Sequence, residues 1–149
     1  MKNITIPEDR AVIVARIEQL NPNTPALWGK MDVAQMLSHC REGLKLATGE
    51  LQLKRLWLGY LLGPLIKSTY YNDKPFIKNV QTAKEIKITS PVAFEASKQE
   101  LLNALEDYTD KQALYGEQAS HPFLGHLTTE QWGKGMYKHL DHHLRQFGV

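Results

Sequence analysis

From Thr128 to the C-terminus the chain places Trp132, Met136, Leu140, Leu144 and Phe147 at the spacing of one helical face. Thr128, followed three residues later by Gln131, is a capping-box pair that gives this helix a defined start. A helix of this length with a single apolar face has to bury that face, and the rest of the chain supplies helical partners. Asp32 with Gln35 opens a second such segment, with Val33, Met36, Leu37, Cys40 and Leu44 as its stripe. Another begins near Pro7, where Thr5 stands three before Glu8, carries Ile13, Ile17 and Leu20, and stops at Asn21-Pro22-Asn23. A fourth opens at Ser90-Pro91 and runs through Phe94, Leu101, Leu102, Leu105 and Tyr108. Residues 49–89 form a long connection between the second and third helices in chain order. Within it, Leu56 to Ile66 reads as a short buried helix and Lys84 to Ile88 as loop with a short extended piece. The expected fold is an all-α four-helix bundle in a single domain, residues 1–149.

Composition narrows the function. The net charge of +2 is small and evenly spread, with no basic arm for nucleic acid. Cys40 is the only cysteine, which excludes an intrachain disulfide and a CxxC-type zinc site. It falls on the buried stripe of its helix and reads as a small core residue. The N-terminal segment lacks the apolar core of a signal peptide, and the run from Leu56 to Ile66 is far short of the roughly 20 apolar residues of a membrane span. A cytoplasmic location is the expectation.

Three of the six histidines, His139, His142 and His143, lie in the last eleven residues. At about 100° per residue, with Leu140 as origin, His143 falls at about −60°, inside the buried face, and His139 at about −100°, on its edge. His142 falls at about −160° and points away. Two histidines four apart reach a single metal ion from successive turns, so His139 and His143 are preferred as a pair. Gln146, one turn beyond His143, stands where it can orient a ligand ring. On the second helix His39 lies at the edge of the stripe, with Gly43 one turn later leaving space beside the imidazole. Spacing alone leaves open whether these are ligands or ordinary histidines at helix edges.

Lys30-Met31-Asp32-Val33-Ala34-Gln35-Met36-Leu37-Ser38-His39 resembles the opening of the second helix in the DinB/YfiT-like superfamily. His139-Leu140-Asp141-His142-His143-Leu144-Arg145-Gln146 is similar to its last-helix motif. With His121-Pro122-Phe123-Leu124-Gly125 and Gln131-Trp132, the chain most resembles a bacterial branch classed as a domain of unknown function. The resemblance extends from about residue 7 to the end and is weaker between residues 49 and 89. It implies a four-helix bundle with a divalent metal, zinc or nickel, held by His39, His139 and His143. It also implies a thiol-dependent transferase or isomerase that uses a low-molecular-weight thiol and a small-molecule substrate. Members of the superfamily are often dimers, although no spacing in this chain demands a homodimer.

Two other readings stay open. Metal-assisted hydrolysis competes, yet Asp141 and Glu42 both fall on the wrong side of their helices to serve as a general base. A non-enzymatic binding module with a structural or vestigial site is the other, with Leu56 to Ile66 and its flanking Lys54, Arg55 and Lys67 as a possible membrane or partner surface. The loop His121 to His126 and the pair Tyr70-Tyr71 are candidates to line a pocket, and equally candidates for ordinary packing.

Overall fold

Asp32 accepts a hydrogen bond from the Gln35 amide while the Gln35 side chain accepts from the Asp32 amide, and Thr128 and Gln131 repeat the arrangement. These two capping boxes start the two longest helices of the protein. The computed structural model describes residues 1–80 and 86–149. In chain order the helices are α1 (Pro7–Glu18), α2 (Val33–Thr48), α3 (Trp57–Ile66), α4 (Phe94–Glu106), α5 (Tyr108–Tyr115) and α6 (Thr129–Gln146). A small antiparallel hairpin, β1 (Ser120–His121) and β2 (Gly125–His126), precedes α6. The class is all-α, as expected.

The centre of the protein is α2, which packs against α4, α5 and α6, while α1 closes on α4 and α6. Ile13 and Ile17 of α1, Met36, Leu37 and Leu44 of α2, Leu101 and Leu105 of α4, and Trp132, Met136, Leu140 and Leu144 of α6 form one buried cluster. Each buried aliphatic or aromatic side chain of this kind contributes about 1.5–3 kcal/mol of transfer free energy, so helix pairing rather than helix propensity holds the elements together. Cys40 is buried among them, its thiol pKa raised by desolvation, in keeping with a core role.

Several local expectations are corrected. Thr5 does not cap α1; its hydroxyl donates to Asn3 Oδ1 instead, and Ile6 stands at the N-cap without a side-chain bond. The helix expected from Ser90-Pro91 begins only at Phe94 and ends at Glu106, and Tyr108 opens the separate helix α5. The helix foreseen within Leu56 to Ile66 forms, but its large side chains are exposed rather than buried. Lys84 and Glu85 lie outside the described residues, and Ile86 to Ile88 form no strand.

The hairpin was not foreseen, and His121 organises it. Its Nδ1 accepts hydrogen bonds from the amides of Phe123 and Leu124, both at 3.1 Å, while Gly125 turns the chain with φ +76°. The ring packs against Tyr70, centroids 5.3 Å apart, and Trp132, 6.0 Å apart. Burial lowers the His121 pKa from 6.5 to about 4, and protonation of Nδ1 would also forfeit both amide bonds. Between those values the unfolded chain takes up a proton that the folded chain does not, so stability falls as pH drops through this window. Between pH 7 and pH 5 the loss attributable to His121 amounts to about 2 kcal/mol. Urea unfolding at pH 7 and pH 5 checks this. His121→Asn, which keeps an acceptor near the position of Nδ1, is expected to flatten the dependence by that amount, and an unchanged pH slope would contradict the assignment.

Candidate metal centre

Helix α2 approaches α6 closely at Gly43. A Cβ there would lie 3.1 Å from His139 Cε1, 3.3 Å from its Nδ1 and 3.2 Å from Met136 Cε. The absent side chain therefore lets the His139 ring sit against the α2 backbone, next to His39 one turn earlier. The gap expected beside His39 is real, but the ring that fills it belongs to His139.

The imidazoles of His39, His139 and His143 converge, one nitrogen from each lying within 4.8 Å of the others. Ring centroids are 5.0 Å apart for His39 and His139, 4.8 Å for His39 and His143, and 4.7 Å for His139 and His143. His39 Nε2 stands 3.1 Å from His139 Nε2. Two nitrogens each about 2.1 Å from a tetrahedral ion lie about 3.4 Å apart, so this pair is already close to ligand spacing.

Carbonyl groups set which nitrogens carry protons. His39 Nδ1 is 2.9 Å from the Ile86 carbonyl oxygen, which can only accept, so Nδ1 is the protonated nitrogen and Nε2 keeps its lone pair. His143 is set by a relay. The Trp28 carbonyl accepts from Gln146 Nε2 at 2.6 Å, which turns Gln146 Oε1 toward His143 Nδ1 at 2.8 Å. His143 therefore donates from Nδ1 and keeps a lone pair on Nε2. Among the described residues His139 has no such partner: its Nδ1 is buried without a hydrogen bond. Two lone pairs cannot bond to each other, so in the absence of a cation the proton between His39 and His139 belongs to His139 Nε2. A cation at the meeting point would satisfy all three lone pairs at once, provided the His139 proton moves to Nδ1. The donor set fits a divalent transition metal on these grounds.

Electrostatics favours the neutral rings that a metal requires. Burial lowers the pKa of His39. His143 is lowered to about 3, chiefly by burial and then by the charge of His39. His139 falls well below the usual value through burial and the neighbouring histidines, His143 foremost.

His142 stays outside the trio, as its helical position predicted, and serves as a wall. It stands edge-on to Trp28 at 5.8 Å and to Phe76 at 6.0 Å. Phe76 is held there by Lys138, whose ammonium lies 4.5 Å from the ring centroid and donates to the Thr69 carbonyl at 2.6 Å and to Asn72 Oδ1 at 3.0 Å. Tyr70 packs over Gly135, and its hydroxyl donates to Met136 Sδ at 3.3 Å, one turn before His139. Tyr70 and His121 therefore support α6 behind the trio, whereas His126 is exposed. Neither carboxylate weighed as a base is available: Asp141 pairs with Arg16 and Arg145, and Glu42 with Arg41 and Lys45. The Ile86 and Trp28 carbonyls escaped the sequence reading because a main-chain acceptor has no side-chain signal. Trp28, five residues before α2, could have been suspected only as an aromatic close to a predicted helix start.

No curated protein and no solved structure matches the chain. Among protein families, the one described as a protein of unknown function (DUF1569) matches residues 68–148, a span that holds His121, Trp132, His139, His143 and Gln146. The match covers just over half of the 149 residues, and the chain belongs to this DUF1569 family.

Proposed function

We propose that the protein binds a divalent metal ion, zinc or nickel, through His39, His139 and His143, and uses it as a thiol-dependent S-transferase or isomerase acting on a small molecule. The observation that carries this reading is the convergence of three imidazole nitrogens, two of them with tautomers imposed by carbonyl acceptors. The wider reading is a DinB/YfiT-like four-helix bundle formed by α1, α2, α4 and α6, supported by the capping of α2 and α6 and by the placement of His39 on α2 and of His139 and His143 on α6.

A divalent ion held by three neutral imidazoles keeps its full positive charge and favours deprotonation of a nucleophile beside it. The chain's own residues do the rest. Ile86 and Gln146 hold the rings of His39 and His143 in orientation, and Gly43 gives the His139 ring its place. Trp28, Phe76 and His142 form an aromatic wall next to His143 that can exclude water. Among the described residues, the two carboxylates weighed as bases, Asp141 and Glu42, are both held in ion pairs, which favours a nucleophile that is itself acidic, such as a thiol, over attack by water.

Elemental mass spectrometry on untagged protein, purified without chelator, is expected to find about one equivalent of a transition metal, lost in His39→Ala and in His143→Ala. Metal-free wild type, even after reconstitution, would overturn metal binding and leave a non-enzymatic helical module. Loaded protein is then expected to accelerate the reaction of bacillithiol or mycothiol with electrophilic acceptors over the metal-free control. Full loading without acceleration would remove the transferase reading alone.

The carbonyl relay gives a separate outcome. Gln146→Ala removes no ligand but frees the His143 ring, and is expected to weaken metal affinity by about 10–100-fold. Gly43→Ala is expected to keep or raise the melting temperature, because alanine favours the helix by about 1 kcal/mol, while lowering metal affinity by crowding His139. Competition titration with a chromogenic chelator measures both; unchanged affinity in both variants would show that ring orientation is not limiting.

A further inference from the structure

Helix α3 packs the wrong way round for a helix of a water-soluble fold. Its inner face is made of Gly59 and Gly63, pressed so closely on the Phe123 main chain that a Cβ at Gly59 would collide with the Phe123 carbonyl oxygen. With the smallest residues inside, the large apolar ones face outward. Trp57, Leu61 and Leu65, at i, i+4 and i+8, are 78%, 68% and 76% exposed. Leu58, Tyr60, Leu62 and Ile66 extend this surface on either side. Trp57 to Ile66 contains no charged residue. Isolated exposed leucines need no explanation, but a continuous stripe on one helix does.

Charge identifies the partner. Residues 51–72 hold Lys54, Arg55 and Lys67 and no carboxylate. The nearest acids on either side, Glu50 and Asp73, are paired with Lys111 and with the N-terminal ammonium. Arg55 lies over the Tyr60 ring with its guanidinium 4.0 Å from the centroid, and Lys67 donates to the His126 carbonyl at 2.5 Å, so both cations border the stripe. A second copy docking α3 antiparallel on α3 would set the Lys54 end of one helix beside the Lys67 end of the other, with no carboxylate in the segment to offset the repulsion. An apolar surface bordered by anions meets both requirements. Trp57 and Tyr60 are the side chains that settle at such a boundary, and the leucines reach below it. At ten residues, about 15 Å long, α3 can lie in a bilayer surface but cannot cross one.

We propose that α3 is a membrane-surface docking helix, which seats Trp57, Leu61 and Leu65 in the outer part of a bilayer rich in anionic phospholipid. Helix α3 is anchored chiefly on the hairpin rather than on the helices that carry the histidine trio, and the contact is proposed without reference to a bound metal.

Flotation of the purified full-length chain with vesicles decides the matter. The wild type is expected to float with phosphatidylglycerol–phosphatidylcholine vesicles, to float weakly or not at all with phosphatidylcholine alone, and to be released by salt. Leu61→Glu/Leu65→Glu should abolish flotation without changing circular dichroism, since both side chains are exposed. Lys54→Glu should weaken binding about fivefold or more. Failure of the wild type to float on anionic vesicles would overturn the proposal. So would a dimer in light scattering that the double variant converts to monomer, because the stripe would then be a contact between copies.

Discussion

The candidate site depends on how closely α2 can approach α6, and that distance is set at Gly43. Even an alanine Cβ at this position would press on the His139 ring, 3.1 Å from its Cε1, and a larger side chain would hold His39, one turn earlier on the same helix, away from its partners on α6. The histidine pair on α6 is local, its members four residues apart, but the third nitrogen comes from a residue 100 positions away. Only packing can bring it in. The buried cluster of Met36, Leu37, Leu44, Met136, Leu140 and Leu144 supplies the energy for this approach, and the glycine supplies the room.

Main-chain carbonyls then give the site its chemical polarity. An imidazole can be ligand or donor at either nitrogen, and nothing in the ring itself decides between them. Ile86 decides for His39, and Trp28, acting through Gln146, decides for His143. Among the described residues nothing directs His139, whose Nδ1 is buried without a partner. It is therefore the ring whose proton can shift when a cation arrives, while the other two remain as they are.

What the sequence made legible follows from how local each signal is. The capping boxes at Asp32 and Thr128 are three-residue patterns, and both form as read. The positions of His139, His142 and His143 relative to the apolar face of α6 follow from helical geometry alone, and the structure places them accordingly. Gln146 was legible for the same reason. Signals that depend on distant partners were not. Thr5 looked like a cap because of Glu8, but Asn3 competes for its hydroxyl. The run from Leu56 to Ile66 looked buried because apolar residues usually are; its exposure follows from Gly59 and Gly63 forming the packing face, which depends on the Phe123 loop some sixty residues away. The hairpin around His121 is held by two amides on one imidazole nitrogen, a bond that no alternating pattern announces.

Neutral histidines tie folding and ligand binding into one equilibrium. Burying three imidazoles uncharged is favourable only while protons are scarce, so acid acts against the fold and against a bound cation through the same atoms. The unfolded chain holds His39 far from His139 and His143 and cannot chelate with all three, so an ion bound by the trio stabilises the folded state in proportion to the logarithm of its concentration over its dissociation constant. An ion would also relieve a feature of the cluster that packing leaves unresolved, the close approach of His39 Nε2 and His139 Nε2 across a single shared proton. Gly43 gives the His139 ring its place against α2, and the three nitrogens stand close to the spacing that a shared cation would require.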